Sequence, residues 1–597
     1  MATTGVAIRL RGGLRRLWGA WIAVQVEFQG RYSVARLHAL HDYMTNLSTK
    51  RLVLICLLTP LPCLALGLLN DAMPLAPPEA GVYENWRLWL RAWAVTCFVD
   101  GSVVLQMGQT TPRLRMQARH VLTIGLLAGT ISIAVVFAAA ALLVFPLPFG
   151  MLVAAPPSVL VMFVCFVYIW GPQWRVDAAL RRDVKRQMEV FTCQVTLTFV
   201  YPLYIFGFVS FRGSSQTLFV IVLPFIKLAG KNWISRTLAD QHDVKPETVI
   251  FNVEVFNALY VSNALQNASS LTATAAIMAV DLLQFWLSML DVMEVLKGVK
   301  QLMAKIPHGH PVGSESFLQL ALRMVAIEAK RKATATIPTG VETWKSGNFS
   351  SKENGLDAQR DAEALVPFAA SNKTQSHGKR ILPLRAQVFP ICPPSHRTPL
   401  HLQTRIHPDI QSPTAWKAVA AVDPGASLSL EAIFSREERL LFIRKTARVL
   451  FITEYIVLVE YTEVVLPIVY SMAASSHVLE GLHRMVLFQL PNCAYYPSLA
   501  GLSSAQFWAT VANVLSYGAL EFASLLMTIV VLKHMLGFAS FRQLAFVLDT
   551  QAELVQTKLV VWFVYIMQVS LVHLGAFRVA FLELEGVVAD LTEQFRV

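Results

Sequence analysis

The strongest constraint in this sequence is a series of apolar stretches, each about 20 residues long, that carry almost no charge. Soluble domains usually contain about 25% charged residues. This 597-residue chain contains 15%, and the deficit is concentrated in these stretches. Apolar stretches of this length match the hydrocarbon core of a bilayer, where a backbone must satisfy its own hydrogen bonds as a helix. The sequence therefore predicts an all-α fold, a polytopic membrane helix bundle.

Nine apolar runs are long enough, or nearly so, to span the hydrocarbon core. They are Leu52–Asn70, Leu88–Met107, Val121–Phe145, Leu152–Trp170, Val190–Phe211, the shorter Leu218–Ala229, Val449–Ala473, Phe507–Leu532 and Leu559–Phe581. The more polar region Val249–Leu290 is too long for one ordinary crossing, since a continuous helix would measure about 60 Å, so we expect a break near Ser269 or an extension beyond the bilayer. The total is about 9–11 transmembrane helices.

Basic residues in the short loops predict the orientation of the chain. Cytoplasmic loops are enriched in Lys and Arg, and eight such residues precede the first run, whereas the next loop, Asp71 to Arg87, is acidic and rich in proline. This pattern places the N-terminus in the cytoplasm and alternates through six consecutive spans. The basic central segment also favours the cytoplasm, so Val249–Leu290 is predicted to cross twice or not at all.

The same patterns divide the chain into five regions. They are a basic juxtamembrane segment (1–51), an N-terminal membrane bundle (52–296), a polar and mostly disordered central loop (297–435), C-terminal membrane helices (436–582) and an acidic tail (583–597). Within the central loop, Thr336–Ser427 mixes Pro, Ser, Thr, Gly and charge without periodicity, which predicts disorder. We expect a protein partner, if there is one, to bind this loop.

Three polar segments beside the membrane show helical patterns. Ile8–Gln25 is predicted as a basic amphipathic helix on the membrane surface, or alternatively as a mitochondrial transit peptide. Ser314–Ala333 has helical apolar spacing and a basic end, which fits a membrane-surface helix, a calmodulin-like target or a solvated helical stalk. Ser435 and Glu438 form a predicted capping box at the start of the C-terminal helices.

Ionisable and amide side chains within apolar segments are costly in a bilayer and therefore indicate candidate functional sites. The candidates for an intramembrane polar path are Asp100, Lys227, Asn252, Asn263, Asn267, Asp281, Glu454, Glu460, Glu463 and Glu521. Such carboxylates could bind cations or relay protons. Alternatively, they pair with Lys227 or with one another in a packed bundle, or lie nearer the interface than the predicted spans imply.

The region Val249–Leu290 has one polar face if its helix is continuous. That face contains Asn252, Asn263, Asn267, Ser270, Thr274, Asp281, Gln284 and Ser288. It could line an aqueous path or bind a polar ligand, and it could equally bond a neighbouring helix or lie along the lipid headgroups.

No recognised catalytic, nucleotide-binding or zinc-binding motif occurs in the chain. We therefore predict no enzyme activity, no cofactor, no metal site and no nucleic-acid partner. The predicted partner is the lipid bilayer, and the sequence does not identify a small-molecule or ion substrate.

Several short segments resemble an uncharacterised family of multi-pass transmembrane proteins that is expanded in oomycetes such as Phytophthora. They are Arg31–Leu37, Leu57–Pro62, Lys231–Trp233 and Phe251–Tyr260. The resemblance covers mainly the first half of the chain. It implies membrane residence and assigns no activity.

Two functional hypotheses follow from these patterns. The first is a multi-pass membrane protein with transporter-like or channel-like capability, suggested by the polar face and the intramembrane carboxylates. The alternative is a non-transporting scaffold or receptor that binds partners through its cytoplasmic loop. An enzyme that acts on lipid is a distant third hypothesis.

Overall fold

Helices make up nearly all of the computed structural model, and the residues that it describes contain no strand. Those residues are 25–147, 150–211, 213–266, 271–307, 310–335, 430–474, 492, 495–496, 503–537, 540–571 and 573. The main helices are α1 (Val34–Asn46), α2 (Thr49–Leu58), α3 (Leu61–Asp71), α4 (Trp86–Thr110), α5 (Ala118–Leu142), α6 (Gly150–Val176), α7 (Ala178–Ser210), α8 (Ser214–Phe219), α9 (Val222–Thr237), α10 (Lys245–Gln266), α11 (Leu271–Met303), α12 (Phe317–Ala335), α13 (Arg436–Ala474), α14 (Ser504–Leu536), α15 (Ser540–Thr550) and α16 (Ala552–Val569).

Within the described part of the chain, nine helical segments are long and apolar enough to cross a membrane. They are α2 with α3, α4, α5, α6, α7, α8 with α9, α11, α14 and α16. Large apolar side chains on several of them, including Leu57, Leu122, Phe163 and Leu203, point away from the protein and fit contact with lipid. The predicted polytopic helix bundle is therefore confirmed.

Two of these segments are interrupted rather than straight. The first is divided at Thr59 and Pro60 into α2 and α3, because a proline ring removes a backbone donor and fits best in the first turn of a new helix. The second is divided between Phe219 and Val222 into α8 and α9. Helix α9 extends through Lys231 and Trp233, as one of the alternatives from the sequence predicted.

Two polar helices, α10 and α13, occupy the centre of the bundle. Every residue of α10 is buried except Asn263 and Gln266, and α13 is buried from Val449 to Ser471 apart from Val459 and Ile468. Neither is among the nine apolar segments, since their glutamates and amides lower the hydropathy. The outer helices enclose them, so these polar helices are shielded from lipid.

Contacts along the bundle give the directions of the central helices. Glu247 and Glu454 share Arg36, Glu254 and Glu463 share Lys227, and Tyr470 donates to Gln266, so α10 and α13 run parallel. By contrast, α11 and α14 run opposite to α13. Near the start of α13, the Lys445 ammonium donates to the Gly298 carbonyl of α11. Near the end of α13, Gly518 of α14 packs on Pro467, and the adjacent Tyr517 donates to Asp281 of α11.

This reversal corrects the interpretation of Val249–Leu290 as one polar face. Helix α10 ends at Gln266 and α11 begins at Leu271, and the two helices run in opposite directions, so the helix breaks close to Ser269 as the sequence predicted. Side chains before and after the break therefore face different neighbours, and the pattern of a single continuous stripe does not apply. Of its members, Asn267 and Ser270 lie outside the described residues.

Helices α4, α5 and α6 form a peripheral unit. Gly125 and Gly129 of α5 lie against Cys97 and Gly101 of α4, so closely that a Cβ on Gly129 would be 2.7 Å from the Cys97 Cα. Small residues four apart allow two backbones to approach in this way in a bilayer.

The amphipathic segment after α11 forms α12, which begins at Phe317 and packs against α13 and α1. Its apolar residues Leu320, Met324 and Ile327 are buried, and Glu328 accepts hydrogen bonds from Arg439. Because protein covers the apolar face in the folded chain, that face is not available to a membrane surface or to a calmodulin-like partner. These two predictions for the segment are therefore wrong.

The capping box at the start of α13 forms as the sequence predicts. The Ser435 backbone amide donates to Glu438 at 3.0 Å, and the Glu438 amide donates to Ser435 Oγ at 3.2 Å. The disordered segment predicted at Thr336–Ser427, the acidic tail and the N-terminal helix predicted at Ile8–Gln25, except for Gln25 itself, lie outside the described residues.

Candidate functional site

Most of the charged candidates meet around α10 and α13, at two levels. The first level is the Arg36 cluster, composed of Tyr32, Arg36, Glu247, Glu454 and Gln543. The Arg36 guanidinium donates to Glu247 at 2.6 Å and to Glu454 at 2.7 Å, and both Tyr32 and Arg36 are buried. Tyr32 donates to Glu454 and accepts from Gln543 at 2.7 Å. The segment that precedes α1 thus joins one end of both central helices.

The second level is the Lys227 cluster, composed of Lys227, Lys231, Glu254 and Glu463. It lies about 14 Å farther along α13, given a rise of 1.5 Å per residue from Glu454 to Glu463. Lys227 Nζ is 2.6 Å from Glu463 Oε1 and 3.1 Å from Glu254 Oε2, and Lys231 pairs with the other Glu254 oxygen. Helices α9, α10 and α13 are therefore joined by ion pairs in the interior.

Three further carboxyl groups surround the Lys227 cluster. They belong to Asp281, Glu460 and Glu521 and are called the acidic group below. Asp281 accepts a hydrogen bond of 3.1 Å from Tyr517, and Glu460 accepts one from Ser524. Glu460 and Glu521 are each only 5% exposed. All three interact electrostatically with Lys227, and Glu521 also interacts with the other two carboxyl groups.

The balance of charge differs between the two levels. At the first level, Arg36 forms ion pairs with both glutamates, and Lys558, which interacts electrostatically with Glu247, is a second cation nearby. At the second level the two lysines of the Lys227 cluster face Glu254 and Glu463 together with the acidic group. Unpaired buried charge costs several kcal/mol per ion. No further Lys or Arg among the described residues forms an ion pair with the acidic group, so the carboxyl groups in excess of the lysines must bind protons or other cations.

The remaining candidates lie elsewhere. Asp100, in the peripheral unit, accepts a hydrogen bond of 2.8 Å from Ser158, whose hydroxyl also contacts Ser132. Asn252 is buried on α10, where it accepts from Gln194 and donates to the Thr248 carbonyl, so its role is to join helices.

Two asparagines complete the set of candidates. Asn263 is half-buried on α10 and has contacts within the bundle, and Asn267 lies outside the described residues.

A third buried cluster joins α3, α4 and α16 at the opposite end of the bundle from Arg36. Arg91 donates to Asp71 at 2.9 Å, to Gln568 at 2.7 Å and to Tyr496 at 3.2 Å, and Tyr496 donates to Asp71. One cation matches one carboxylate here. Since every contact connects neighbouring helices or loops, this cluster fixes the helix ends.

Several members of these clusters were not among the residues that the sequence predicted. Arg36 was interpreted only as a topology signal, and Lys231, Glu247 and Glu254 were not candidates. One signal was available, because Glu247 and Glu254 are seven residues apart and therefore share a helix face within an apolar region. No comparable signal marked Arg36, whose partners are more than 200 residues away.

Comparisons with known proteins give no further guide to this site. No protein-family model matches the chain, and no curated protein or solved structure is found to be similar to it. The geometry of the buried clusters is therefore the guide to the function.

Proposed function

We propose that this multi-pass membrane protein transports a monovalent cation or a proton along the interface of α10 and α13. The observation that carries the proposal is the excess of buried carboxyl groups over lysines around the Lys227 cluster. In the low dielectric of a membrane protein interior such an excess attracts cations. The chain retains this excess although apolar residues would pack at lower cost.

The balanced clusters support the same conclusion by contrast. In the Arg91 cluster one cation pairs with one carboxylate, and around the Arg36 cluster two glutamates have two cations nearby, Arg36 and Lys558, as expected for groups that fix helices in place. The parallel pair α10 and α13 extends from the Arg36 cluster to the Lys227 cluster, so carboxyl groups recur along a single buried interface. Recurring carboxyl groups of this kind are typical of proton and cation pathways.

Liposome flux tests the proposal. The full chain is reconstituted, a gradient of protons, Na⁺ or K⁺ is imposed, and the flux is followed with ion-sensitive dyes. We expect flux of at least one of these cations, and we expect Glu460→Gln to lower it about tenfold, equivalent to roughly 1.4 kcal/mol, because a charge is lost while a hydrogen-bond acceptor remains for Ser524.

The matched control is Asp100→Asn, which neutralises a buried carboxyl group outside the cluster and should leave the flux unchanged. A wild-type protein that passes none of the three cations would contradict the proposal. So would unchanged flux in Glu460→Gln, Asp281→Asn and Glu521→Gln.

A further inference from the structure

A small crevice reaches the acidic group from one side of the bundle. It lies between the start of α9, the middle of α10 and the first half of α11, and its polar lining comes from Lys227, Asn257, Asp281 and Gln284. Its volume of about 10 Å³ matches the space that one water molecule requires. The crevice is therefore suited to a ligand of the size of water.

Asn257 gives this crevice an acceptor that no group among the described residues uses. The side chain is 2% exposed, and its Oδ1 atom has no hydrogen-bond partner in the structure. A buried amide oxygen without a partner destabilises the fold. A hydrogen-bond donor in the crevice would satisfy it, and the lining shows where that donor would lie.

Asp281 connects the crevice to the buried charges. Asp281 lines the crevice, and its Oδ2 atom accepts a hydrogen bond from Tyr517 of α14. Lys227 of α9, Glu254 of α10, Glu460 and Glu463 of α13, Glu521 of α14 and Tyr204 of α7 also interact with it electrostatically. Asp281 is half-buried, whereas Glu460 and Glu521 are buried, so Asp281 is the most accessible member of the acidic group.

We propose that the crevice is the proton-binding site of the acidic group, where one water or hydronium ion is held between Asn257 and Asp281. The hydronium ion gives a proton to the Asp281 carboxylate, which leaves a neutral water molecule and a neutral carboxyl group. The proton then passes to another carboxylate of the acidic group, and Asp281 becomes anionic again. The inference rests on the proposed function and identifies the proton as the transported ion.

The lining favours a proton over a divalent metal ion. Calcium takes six to eight oxygen ligands and magnesium six in octahedral geometry. Three side chains with acceptor oxygens line the described part of the crevice, namely Asn257, Asp281 and Gln284, and the Lys227 ammonium is beside them. A water-borne proton needs only hydrogen-bond acceptors.

Proton flux into liposomes of the full chain tests the site. Asn257→Leu removes the acceptor while keeping the branched shape of the side chain, and it is expected to slow acid-driven proton uptake at least about tenfold. Asn257→Ser keeps an oxygen and should retain most of the flux. Ile277→Phe fills the crevice without changing a polar group, so it should also slow uptake if Asn257→Leu fails to fold.

A second readout does not depend on transport. Infrared difference spectra between acidic and alkaline samples report the protonated carboxyl group of Asp281, identified by its loss in Asp281→Asn. Its exchange with deuterium from heavy water should be fast in the wild type and at least about tenfold slower in Asn257→Leu.

The outcomes separate this inference from the proposed function. If Na⁺ or K⁺ passes and protons do not, the proton assignment is overturned while cation transport stands. If no cation passes but Asp281 exchanges quickly and Asn257→Leu slows the exchange, transport fails and the proton site stands. Flux and exchange in Asn257→Leu and Ile277→Phe equal to those of the wild type would overturn the site.

Discussion

At the residue scale, the Arg36 cluster shows why buried charges must be considered in sets. Arg36 is enclosed by Glu247 and Glu454, and all three side chains are almost fully buried. Removing one member of a buried ion pair leaves the other charged and desolvated, and this costs more than the pair itself contributes.

We expect Arg36→Met to lower the free energy of unfolding by about 3–5 kcal/mol, because two glutamates lose their cation. Thermal denaturation in lipid nanodiscs measures the change. The control is Arg51→Met, since Arg51 pairs with Asp549 at 2.8 Å while its side chain is 63% exposed, and such surface pairs contribute about 1 kcal/mol or less. Equal losses in the two variants would contradict the role of Arg36.

Gly30 illustrates a second constraint at this scale, which is close packing. An added Cβ would lie 2.2 Å from Cζ of Phe451, a fully buried ring of α13. A residue larger than glycine would push the segment that carries Tyr32 away from α13.

Gly30→Ala is therefore expected to destabilise the protein by about 1–3 kcal/mol, again measured by thermal denaturation. Gly171→Ala is the matched control, because the nearest atom to its new Cβ, Val167 Cγ1, is 3.7 Å away. In a helix this change should be neutral or stabilising by up to about 1 kcal/mol. A stable Gly30→Ala would mean that the ring of Phe451 can move.

At the scale of elements, the first turn of α13 is held by its capping box and by Lys305, which pairs with Glu438. This turn lies before the buried part of the helix. The pKa of Glu438 is lowered below its ordinary 4.5. The largest cause is the hydrogen bond from Lys305, and the next is the hydrogen bond from the Ser435 amide.

The lowered pKa predicts a dependence of this turn on pH. Because the folded state holds the proton less tightly than the unfolded state, the contribution of Glu438 is present above about pH 4.5 and is lost as the pH falls through the lowered pKa. Hydrogen exchange of the amides in the first turn, corrected for the intrinsic effect of pH, should therefore accelerate on acidification. In Glu438→Gln this pH dependence should disappear, and its persistence would contradict the assignment.

Helix α12 shows how an element acquires its place. Its apolar spacing is visible in the sequence, and that spacing is compatible with lipid, a partner or the protein itself as the covering surface. The structure decides in favour of the protein, since Glu328 pairs with Arg439 and the apolar face packs toward α13 and α1.

At the scale of the whole molecule, the parallel arrangement of α10 and α13 constrains the topology. The Tyr32 amide donates to the Ala447 carbonyl at 3.1 Å, and Glu328 of α12 contacts Arg439. The segment before α1, the helix α12 and the start of α13 therefore lie at the same end of the bundle. The end of α12 and the start of α13 are consequently at the same end of the bundle as residue 25.

Glycosylation mapping after expression through the secretory pathway tests this arrangement. With a cytoplasmic N-terminus, the acceptor sequences Asn348-Phe-Ser350 and Asn372-Lys-Thr374 should remain unmodified, whereas a sequon engineered between Asp71 and Arg87 should be glycosylated. The mobility shift on endoglycosidase treatment measures both.

Other patterns would be equally informative. Modification of the two natural sites alone would reverse the orientation and preserve the fold. Modification at all of these positions would contradict the parallel packing of α10 and α13.

Much of the architecture could be predicted from the sequence. Apolar run length identified nine spans, although the one at Val449–Ala473 proved to be the buried polar helix α13 and α11 appears among the apolar segments instead. Of the polar candidates, Lys227, Asp281, Glu460, Glu463 and Glu521 meet in one region, whereas Asp100 and Asn252 bond elsewhere. Helical periodicity describes one face of one helix and says nothing about which distant helix lies opposite it.

The sequence by itself determined that this chain is a membrane helix bundle, because hydrophobicity and the length of each run are local properties. It also determined the capping box of α13, which involves residues only three positions apart. Only the tertiary structure decided that α10 and α13 are central, that Arg36 pairs with Glu247 and Glu454, and that the Lys227 cluster has an excess of carboxyl groups. Those features depend on contacts between residues more than 200 positions apart, and such contacts arise only when the helices pack.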